Sequence, residues 1–254
     1  MSEETCNALV LYAADYRDND KILTLLTDSS GKLTVSAYGV RSMKNKNHAA
    51  CRPMTYGEFM LKKRGDRLFV SETAPKGSFF DSFGSIEAYA AAAYVTELAG
   101  AVACENEPCP GLLSLTLNAM HALGKGEKPI ALIKAAFELR VMSESGFRPD
   151  LSGCSVCKKN DGLFFDAVNG CLFCGDCGSG MLLSAPVVQA MRYITECNPK
   201  RLYAFSLEED ELSGLAAVCE KFAVLRAEKE LRALSFYHNM ISDSKNNPEN
   251  PDCT

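Results

Sequence analysis

The sequence predicts a multidomain α+β protein, and three observations support this fold class. The first 80 residues contain five short strand-like runs, the residues after Ser85 show helical patterns, and two C-x-x-C pairs interrupt the helical region. With 254 residues and 47% hydrophobic content, the chain can bury one sizeable core or two to three small ones. We therefore expect an amino-terminal domain at 1–80, a helical domain at 81–150 and 181–241, and an insertion at 151–180.

The amino-terminal region is predicted to be a small β-barrel. Its strands are short apolar or alternating runs that are separated by turn sequences. The five runs are Ala8–Tyr12, Lys21–Thr27, Leu33–Val40, Tyr56–Leu61 and Leu68–Thr73. Five short strands with little helical signal favour a barrel of the OB type. The number of strands alone is also compatible with an SH3-like barrel or an open sheet.

The rest of the chain, apart from the insertion, is predicted to be helical. Ser85 is a suitable N-cap for the alanine-rich first helix, and Ser206 with Glu209 forms a possible capping box for a long last helical region that reaches Ile241. The polar tail at 242–254 is predicted to be disordered. The predicted helices span, in order, residues 88–103, 112–124, 129–146, 184 onward and 206–241.

Four cysteines form two C-x-x-C pairs, Cys154 with Cys157 and Cys174 with Cys177. Their spacing is typical of sites in which four thiolates hold one zinc ion, and residues 158–173 are long enough for a hairpin that returns the second pair. Such a hairpin has few apolar side chains, so metal binding would supply folding energy. A redox-active C-x-x-C and cysteines that fill a core are the alternatives. We predict one structural Zn²⁺ per chain.

Other residues that can bind metals or carry chemistry give weaker signals. Cys171 lies three residues before Cys174 and could compete as a ligand, but the second C-x-x-C mirrors the first. The three histidines, His48, His121 and His238, are scattered along the chain. We find no Walker A sequence, no G-x-S-x-G elbow and no paired carboxylates in a catalytic setting. The sequence does not indicate an enzyme.

Charge is distributed unevenly along the chain. The first 80 residues carry 12 basic and 9 acidic residues, whereas the whole chain has a net charge of −5. A mildly basic head can bind phosphates locally without coating nucleic acid indiscriminately. Glu3 and Glu4 before the apolar run 8–14 argue against a secretory leader, and twelve cysteines then favour a reducing cytoplasm without disulfides. The run 88–103 is too short for a membrane span, so no membrane partner is expected.

The basic residues of the head cluster in the loop after the third strand and around a hairpin tip. On an OB barrel such loops border the groove of a single strand, where cations meet phosphates and aromatic side chains such as Tyr38, Tyr56 and Phe59 can stack on bases. Solvated loops without a binding role are the simpler alternative. The candidate DNA-binding residues are Arg17, Lys21, Lys32, Arg41, Lys44, Lys46, Lys62, Lys63 and Arg64.

The order of these elements resembles the bacterial RecO family of recombination mediators. The resemblance is carried by Tyr16–Thr27 with Gly31–Lys32 and Tyr38–Arg41, by Phe137–Pro149 leading into the first cysteine pair, and by Leu231–Phe236. It covers nearly the whole chain except the tail. It implies an OB barrel, a helical domain with an inserted zinc finger, and a protein without enzymatic turnover. The family pattern often has two glycines before the second cysteine pair, which favours Cys171 as a glycine replacement.

The resemblance also implies a function. Proteins of this family bind single- and double-stranded DNA, anneal complementary strands, and act with RecR to load RecA onto strands coated by single-strand binding protein, in the cytoplasm and at the nucleoid during repair. The helical part receives the acidic tail of single-strand binding protein, and cations would flank its slot. Alternatives are a zinc-stabilised protein adaptor and an RNA-binding OB protein of translation. The candidate partner-binding cations are Lys134, Arg140, Lys229 and Arg232.

Overall fold

The computed structural model of the chain describes residues 3–246 and divides into two compact units. The first unit comprises residues 1–83 and 99–125, and the second comprises 84–98 and 126–254. The division falls within helix α1 (Ile86–Val102). The predicted helical segment 81–150 therefore contributes to both units. Besides the end of α1, the first unit contains β1 (Glu3–Tyr16), β2 (Asp20–Thr27), β3 (Gly31–Ala37), β4 (Thr55–Arg64), β5 (Arg67–Ser78) and α2 (Leu112–Lys125).

The five strands of the first unit form a closed barrel with the order β1-β2-β3-β5-β4. Strands β3 and β5 run parallel, with Val35 opposite Leu68 and Ser36 opposite Phe69, and the other neighbours are antiparallel. The five predicted strands are confirmed, although β1 and β5 extend well beyond the predicted runs. Their ends are rich in exposed polar residues, which period-two hydrophobicity does not detect.

The interior of the barrel holds one hydrophobic core. Leu23, Leu25, Val35, Phe59 and Leu61 are almost completely buried in it. Because side chains alternate between the two faces of a strand, the intervening residues of β2 and β3 point outward. The barrel therefore has an apolar interior, and its outer face is exposed at some positions, such as Thr34, and buried at others, such as Leu26.

Gly31 and Lys32, at the start of β3, are held by the loop that follows α1. Gly31 has a φ of +61°, and a Cβ at this position would lie 2.0 Å from the carbonyl oxygen of Glu107. The backbone N–H of Lys32 donates to the carbonyl of Cys104 (2.9 Å), and the N–H of Asn106 donates to the carbonyl of Lys32 (3.1 Å). Only glycine accommodates both this φ and this close backbone approach.

The second unit packs helices and a small sheet around α3. The sheet has the order β6-β8-β7-β9. Helix α3 is buried on most sides, as in Ile133, Phe137 and Val141, which is expected for the central helix of a bundle. Besides the first part of α1, the elements are α3 (Ile130–Met142), β6 (Asp150–Cys154), β7 (Leu163–Asp166), β8 (Cys171–Cys174), β9 (Met181–Leu182), α4 (Ala185–Glu196), α5 (Glu209–Ala227) and α6 (Arg232–Asn246).

The helix termini confirm one predicted cap and correct another. The hydroxyl of Ser85 accepts the N–H of Ala88 (3.2 Å), as predicted for α1. The capping box of α5 is formed by Glu208 and Glu211, so the prediction of Ser206 with Glu209 was wrong by two residues. The N-cap is the carboxylate of Glu208, where the hydroxyl of Ser206 was predicted. Its negative charge lies at the positive end of the helix dipole, which is favourable.

The last helical region consists of two helices, not the single long one that was predicted. Helix α5 ends where Glu228 adopts a left-handed conformation with a φ of 50°. The N–H groups of Arg232 and Ala233 then donate to the carboxylate of Glu97, at 3.1 and 2.8 Å, and this carboxylate caps α6. Helix α6 covers residues 242–246 of the predicted tail, and the remainder of that tail lies outside the described residues.

Candidate functional site

The four predicted metal ligands lie together at one end of the small sheet. Cys154 ends β6 and Cys174 ends β8, and each is followed by a tight turn that presents the second cysteine of its pair. In the first turn the N–H of Lys158 donates to the carbonyl of Cys154 (2.9 Å), and in the second the N–H of Cys177 donates to that of Cys174 (2.9 Å). Strands β7 and β8 pair as the hairpin that the spacing predicted.

The four sulfur atoms are arranged as a single ligand set. All of them lie within 4.8 Å of one another, and the Sγ atoms of Cys157 and Cys174 are 3.5 Å apart. A tetrahedral ion with metal–sulfur bonds of about 2.3 Å requires sulfur–sulfur distances of about 3.8 Å. The residues therefore fit a four-thiolate metal centre. Within the described part of the chain, this group of close ligand atoms does not include Cys171.

The protonation of these thiols also reflects their proximity. The backbone N–H of Cys157 lowers the pKa of the Cys154 thiol to about 6, because it stabilises the thiolate. The hydrogen bond with Cys174 raises the pKa of the Cys177 thiol to about 12, because this bond stabilises the protonated form of Cys177. One thiolate thus opposes ionisation of the next unless a cation is shared between them. The thiolate is the form that ligates metals.

Arg226 of α5 anchors the turn between β7 and β8. Its guanidinium donates to the carbonyl oxygens of Ala167 (2.6 Å) and Val168 (3.0 Å). It also lies 3.9 Å from the ring centroid of Phe222, which in turn packs edge-on against Phe165 of β7. Burial lowers the pKa of Arg226, but guanidinium groups remain protonated. Sequence analysis did not identify Arg226, because its carbonyl partners have no side-chain signature.

The predicted DNA-binding cations of the barrel have three different environments. Arg17, Lys44, Lys63 and Arg64 are exposed and form no ion pair with any residue in 3–246, and Lys21 is half-buried without one. Arg41, Lys46 and Lys62 are paired with carboxylates in a second group. The pairs are Arg41 with Asp15 (3.5 Å), Lys46 with Glu72 (2.6 Å) and Lys62 with Glu3 (2.9 Å).

Lys32 differs from the other predicted cations because it is part of the barrel's own structure. Its side chain is only 11% exposed, donates to the carbonyl of Gly100 (3.0 Å) and pairs with Glu105 (3.5 Å). These contacts hold the loop after α1, and the low exposure of the side chain limits its access to a phosphate. We therefore exclude Lys32 from the candidate DNA surface.

The aromatic residues that were considered for base stacking also differ in how exposed they are. Phe59 is fully buried in the barrel core, Tyr56 is half-buried, and Tyr38 is exposed. Tyr38 stacks on Phe69, with ring centroids 5.2 Å apart and an interplanar angle of 18°. Sequence analysis missed Phe69 and the exposed Tyr12, although the alternation of apolar and polar residues along their strands places both on the outer face.

Two of the four predicted partner-binding cations are structural. Lys134 is 2% exposed, and its ammonium lies 2.7 Å from carboxylate oxygens of both Glu138 and Glu220. The Tyr94 hydroxyl donates to the same Glu138 oxygen at 2.6 Å, and burial raises the pKa of Tyr94 far above its usual range. A buried cation with two carboxylate partners is unable to receive a peptide at the surface. Its role is to satisfy these carboxylates inside the helical unit.

Arg140 is held in a similar way, whereas Lys229 and Arg232 are accessible. The guanidinium of Arg140 pairs with Glu144 (2.6 Å) and donates to the carbonyls of Ile194 (3.0 Å) and Cys197 (2.9 Å). Lys229 is exposed, and the side chain of Arg232 is 86% exposed with one long ion pair to Glu230. These two residues are the remaining candidates for a partner surface.

Comparison with known proteins places the chain among recombination proteins. Residues 1–76 match the family model described as Recombination protein O N terminal, and residues 84–235 match the one described as Recombination protein O C terminal. The chain belongs to the RecO family. The boundary between the two matches falls between the barrel and α1, so the family's two parts correspond to the strand-rich and helical regions.

Several curated relatives are similar to the chain over nearly its full length. The DNA repair protein RecO of Acetivibrio thermocellus is 27% identical and covers 91% of this chain and 94% of that protein. The DNA repair protein RecO of Desulforudis audaxviator is 28% identical and covers 96% of this chain and all of that protein. Membership of the RecO family supports a role in DNA repair and recombination. No helix in residues 3–246 is long and apolar enough to cross a bilayer.

Proposed function

We propose that this protein is a recombination mediator that binds single- and double-stranded DNA through its barrel, anneals complementary strands, and helps RecR to load RecA onto strands coated by single-strand binding protein. The strongest support is that both RecO family models match this chain. The barrel of the chain also has exposed cations that form no ion pair within residues 3–246. The proposed role requires no catalytic residues. It requires surfaces that hold DNA and protein partners at the same time.

The barrel is proposed to be an OB fold. The strand order β1-β2-β3-β5-β4 with parallel β3 and β5 is compatible with a five-stranded Greek-key barrel of this type. In OB folds the outer face of the second and third strands and the adjacent loops bind oligonucleotides. Here the loop after β1 carries Arg17, the loop after β3 carries Lys44, and the last residue of β4 is Arg64.

The loops that carry these cations are fixed to each other. The N–H of Gly39 donates to the Asp20 carboxylate (2.8 Å), and the N–H of Arg41 donates to the carbonyl of Asn19 (3.1 Å). The turn between β1 and β2 is thus tied to the loop after β3. Cations on fixed loops lose less conformational entropy when they bind phosphates than cations on free segments would.

The metal centre is proposed to hold one structural Zn²⁺ through Cys154, Cys157, Cys174 and Cys177. Four thiolates in a tetrahedral arrangement suit zinc or an iron–sulfur cluster, and closed four-ligand sites are typical of structural zinc. When bound, the ion would supply the charge that allows all four thiols to ionise together. The cysteines would hold the two turns in place, and no protein step in DNA binding depends on an open metal position.

Lys229 and Arg232 are proposed to contribute to the surface for the acidic tail of single-strand binding protein. They lie in and just after the break between α5 and α6, and both are exposed. Exposed cations suit the acidic residues of such a peptide. Titration of the tail peptide tests this: the Lys229→Ala, Arg232→Ala double variant should bind it more weakly than a Lys200→Ala, Lys221→Ala control, and equal affinities would exclude these two cations.

DNA binding is tested by charge reversal at two of the unpaired cations. The Arg17→Glu, Lys44→Glu variant should bind single- and double-stranded DNA more weakly for every sequence, and on single strands its salt dependence should be shallower by about 0.7 for each phosphate that the protein no longer neutralises. The matched control is Lys200→Glu, Lys221→Glu, which reverses two exposed cations of the second unit. Unchanged affinity and slope in the first variant would place the DNA surface elsewhere, and a strong preference for RNA over DNA would contradict a role in recombination.

A further inference from the structure

The loop between α1 and α2 contains two cysteines that contact each other. Cys104 and Cys109 are separated by four residues in this loop. The backbone N–H of Cys104 donates to the Sγ of Cys109 (3.2 Å), and the two side chains are hydrogen bonded as well. Because an N–Cα bond is about 1.46 Å long, the Cys109 sulfur lies at most about 4.7 Å from the Cα of Cys104. The two sulfur atoms are therefore neighbours.

The backbone of the loop is restricted on both sides of the pair. Asn106 has a φ of 59° and turns the chain between the two cysteines, and asparagine tolerates this left-handed conformation better than most residues do. Cys109 lies between Pro108 and Pro110, and a residue that precedes a proline is restricted to extended conformations. The loop would therefore lose little further freedom if the two sulfur atoms were joined.

The two thiols differ in exposure and in protonation. Cys104 is exposed, whereas Cys109 is half-buried and its thiol donates to the carbonyl of Glu107 (3.5 Å). Burial raises the pKa of the Cys109 thiol and the charge of Cys104 raises it further, although the N–H of Cys104 acts in the opposite direction. A reagent in solution therefore meets Cys104 first.

Metal binding and simple packing do not account for this pair. Within residues 3–246, no third His, Cys, Asp or Glu joins the two thiols in a group that could hold an ion, and a closed zinc site needs four ligands. Cys109 also fills space beside Gly31, where an added Cβ would lie 3.2 Å from its sulfur. Packing alone does not require an exposed second thiol within hydrogen-bond distance. Redox chemistry uses both thiols.

We propose that Cys104 and Cys109 form a reversible disulfide by exchange with a small-molecule disulfide such as oxidised glutathione. The Cys104 thiolate attacks one sulfur of the small disulfide, which forms a mixed disulfide and releases one small thiol. The Cys109 thiolate then attacks the Cys104 sulfur, which forms the protein S–S bond and releases the second small thiol. Two protein thiols are oxidised, one small disulfide is reduced, and the two protons of the cysteines pass to the released thiols.

The contacts within the pair favour the second of these steps. The negative charge of a Cys104 thiolate opposes ionisation of Cys109, but this charge is absent once Cys104 is bound in the mixed disulfide. The N–H of Cys104 donates to the Cys109 sulfur and stabilises its thiolate. Ring closure should therefore follow quickly, and the mixed disulfide should not accumulate.

Closure of the pair would also act on the barrel, because the same loop holds the start of β3. The carbonyl of Cys104 accepts the N–H of Lys32, and the N–H of Asn106 donates to the carbonyl of Lys32. A disulfide restricts the open forms of the loop that it closes. Openings that break these two backbone hydrogen bonds should therefore become rarer in the oxidised protein.

Peptide mapping of the full chain tests whether the disulfide forms. Trypsin releases residues 77–125 as one peptide, since no Lys or Arg lies between Lys76 and Lys125, and Cys104 and Cys109 are its only cysteines. After incubation with oxidised glutathione and alkylation of the remaining thiols, mass spectrometry should find this peptide with an internal disulfide and no attached glutathione. A peptide that stays reduced, or that carries glutathione without ring closure, would overturn the proposal.

Two matched serine variants test the order of the steps. In Cys109→Ser the exposed Cys104 should keep one glutathione, because no second thiol releases it. In Cys104→Ser the half-buried Cys109 should take up glutathione about 10-fold more slowly, because it is less accessible and less ionised. Equal rates in the two variants would contradict Cys104 as the first thiol to react.

Amide hydrogen exchange tests the effect on the barrel. Exchange at the N–H groups of Lys32 and Asn106 should slow by up to about 40-fold in the oxidised form, which is the factor expected for closing a loop of six residues. The same treatment of Cys104→Ser should leave their exchange unchanged. Equal exchange in the oxidised and reduced protein would refute the link to β3. None of these measurements uses DNA, so their outcome is independent of the proposed function.

Discussion

The barrel and the small sheet that carries the four cysteines are stabilised by different means, although both are small and built from short strands. The barrel encloses its own core, in which Leu23, Leu25, Val35 and Phe59 are buried by the closed sheet. The sheet of β6–β9 has only a few buried apolar residues, and one of these, Phe165, packs against α5. The barrel thus holds its main core inside its own sheet. The small sheet depends on its cysteines and on a neighbouring helix.

Removal of the proposed zinc ion should have the largest effect, and it should be confined to the small sheet. Structural zinc supplies on the order of 10 kcal/mol to small zinc-binding modules, which exceeds any other interaction available to β6–β9. Treatment with a chelator, or the Cys154→Ser variant, should abolish the bound zinc and unfold residues 150–183 while the barrel stays folded. Elemental analysis and amide hydrogen exchange measure these two effects. Full zinc content in Cys154→Ser would refute the assignment.

Loss of a core side chain should have the next largest effect, and it should appear in the barrel. Phe59 is completely buried, so Phe59→Ala should lower the free energy of unfolding of the barrel by about 3–5 kcal/mol. The zinc content should remain at one ion per chain. Urea denaturation measures the change, and Thr34→Ala, an exposed position in the same barrel, should change stability by less than about 0.5 kcal/mol. A similar effect of both variants would mean that the barrel core is not the source of its stability.

The dependence of the small sheet on α5 should produce a smaller effect. Arg226→Ala removes two hydrogen bonds to carbonyl groups and the packing against Phe222, which together should contribute about 1–3 kcal/mol. Hydrogen exchange of the amides in residues 166–170 should become faster. Arg226→Lys should not restore protection, because an ammonium lacks the planar fork that reaches both carbonyls. Lys221→Ala, at an exposed position of the same helix, serves as the control.

The smallest effect is expected at the fifth cysteine of the small sheet. Cys171 pairs in β8 and lies outside the group of four close sulfur atoms. Cys171→Gly should leave the zinc content unchanged and alter stability by about 1 kcal/mol or less, since glycine only weakens the strand. A loss of zinc in this variant would show that Cys171 takes part in metal binding.

The elements that were predictable from the sequence are those with strictly local signals. Period-two hydrophobicity identified all five barrel strands, and the paired C-x-x-C turns identified the close group of thiols. The break at Glu228 was not predictable in this way, because the residue has no strong preference for a left-handed conformation and no glycine marks the helix end. Local sequence patterns also do not predict the cap of α6, because the carboxylate that forms it belongs to Glu97 of α1.

The role of individual charged residues was much less predictable than the fold. Lys32 and Lys44 are equally basic in the sequence, yet the first is enclosed by the loop after α1 and the second is exposed. Lys134 looked like a surface cation, but its helix is buried on both sides and its partners come from α3 and α5. Whether a lysine binds a ligand or an internal carboxylate depends on tertiary contacts, which a single sequence does not encode in a local pattern.

The cap on α6 has a consequence for the order in which the helical unit folds. The hydrogen bonds from Arg232 and Ala233 to Glu97 join residues that are 135 and 136 positions apart in the chain. At a ribosomal rate of about 5–20 residues per second, Glu97 is synthesised roughly 7–27 seconds before its partners exist. This cap can therefore form only after the end of the helical unit has been synthesised, and a chain truncated before residue 232 would leave the Glu97 carboxylate without its amide partners. The barrel, whose strands all lie within the first 78 residues, can close long before this final step.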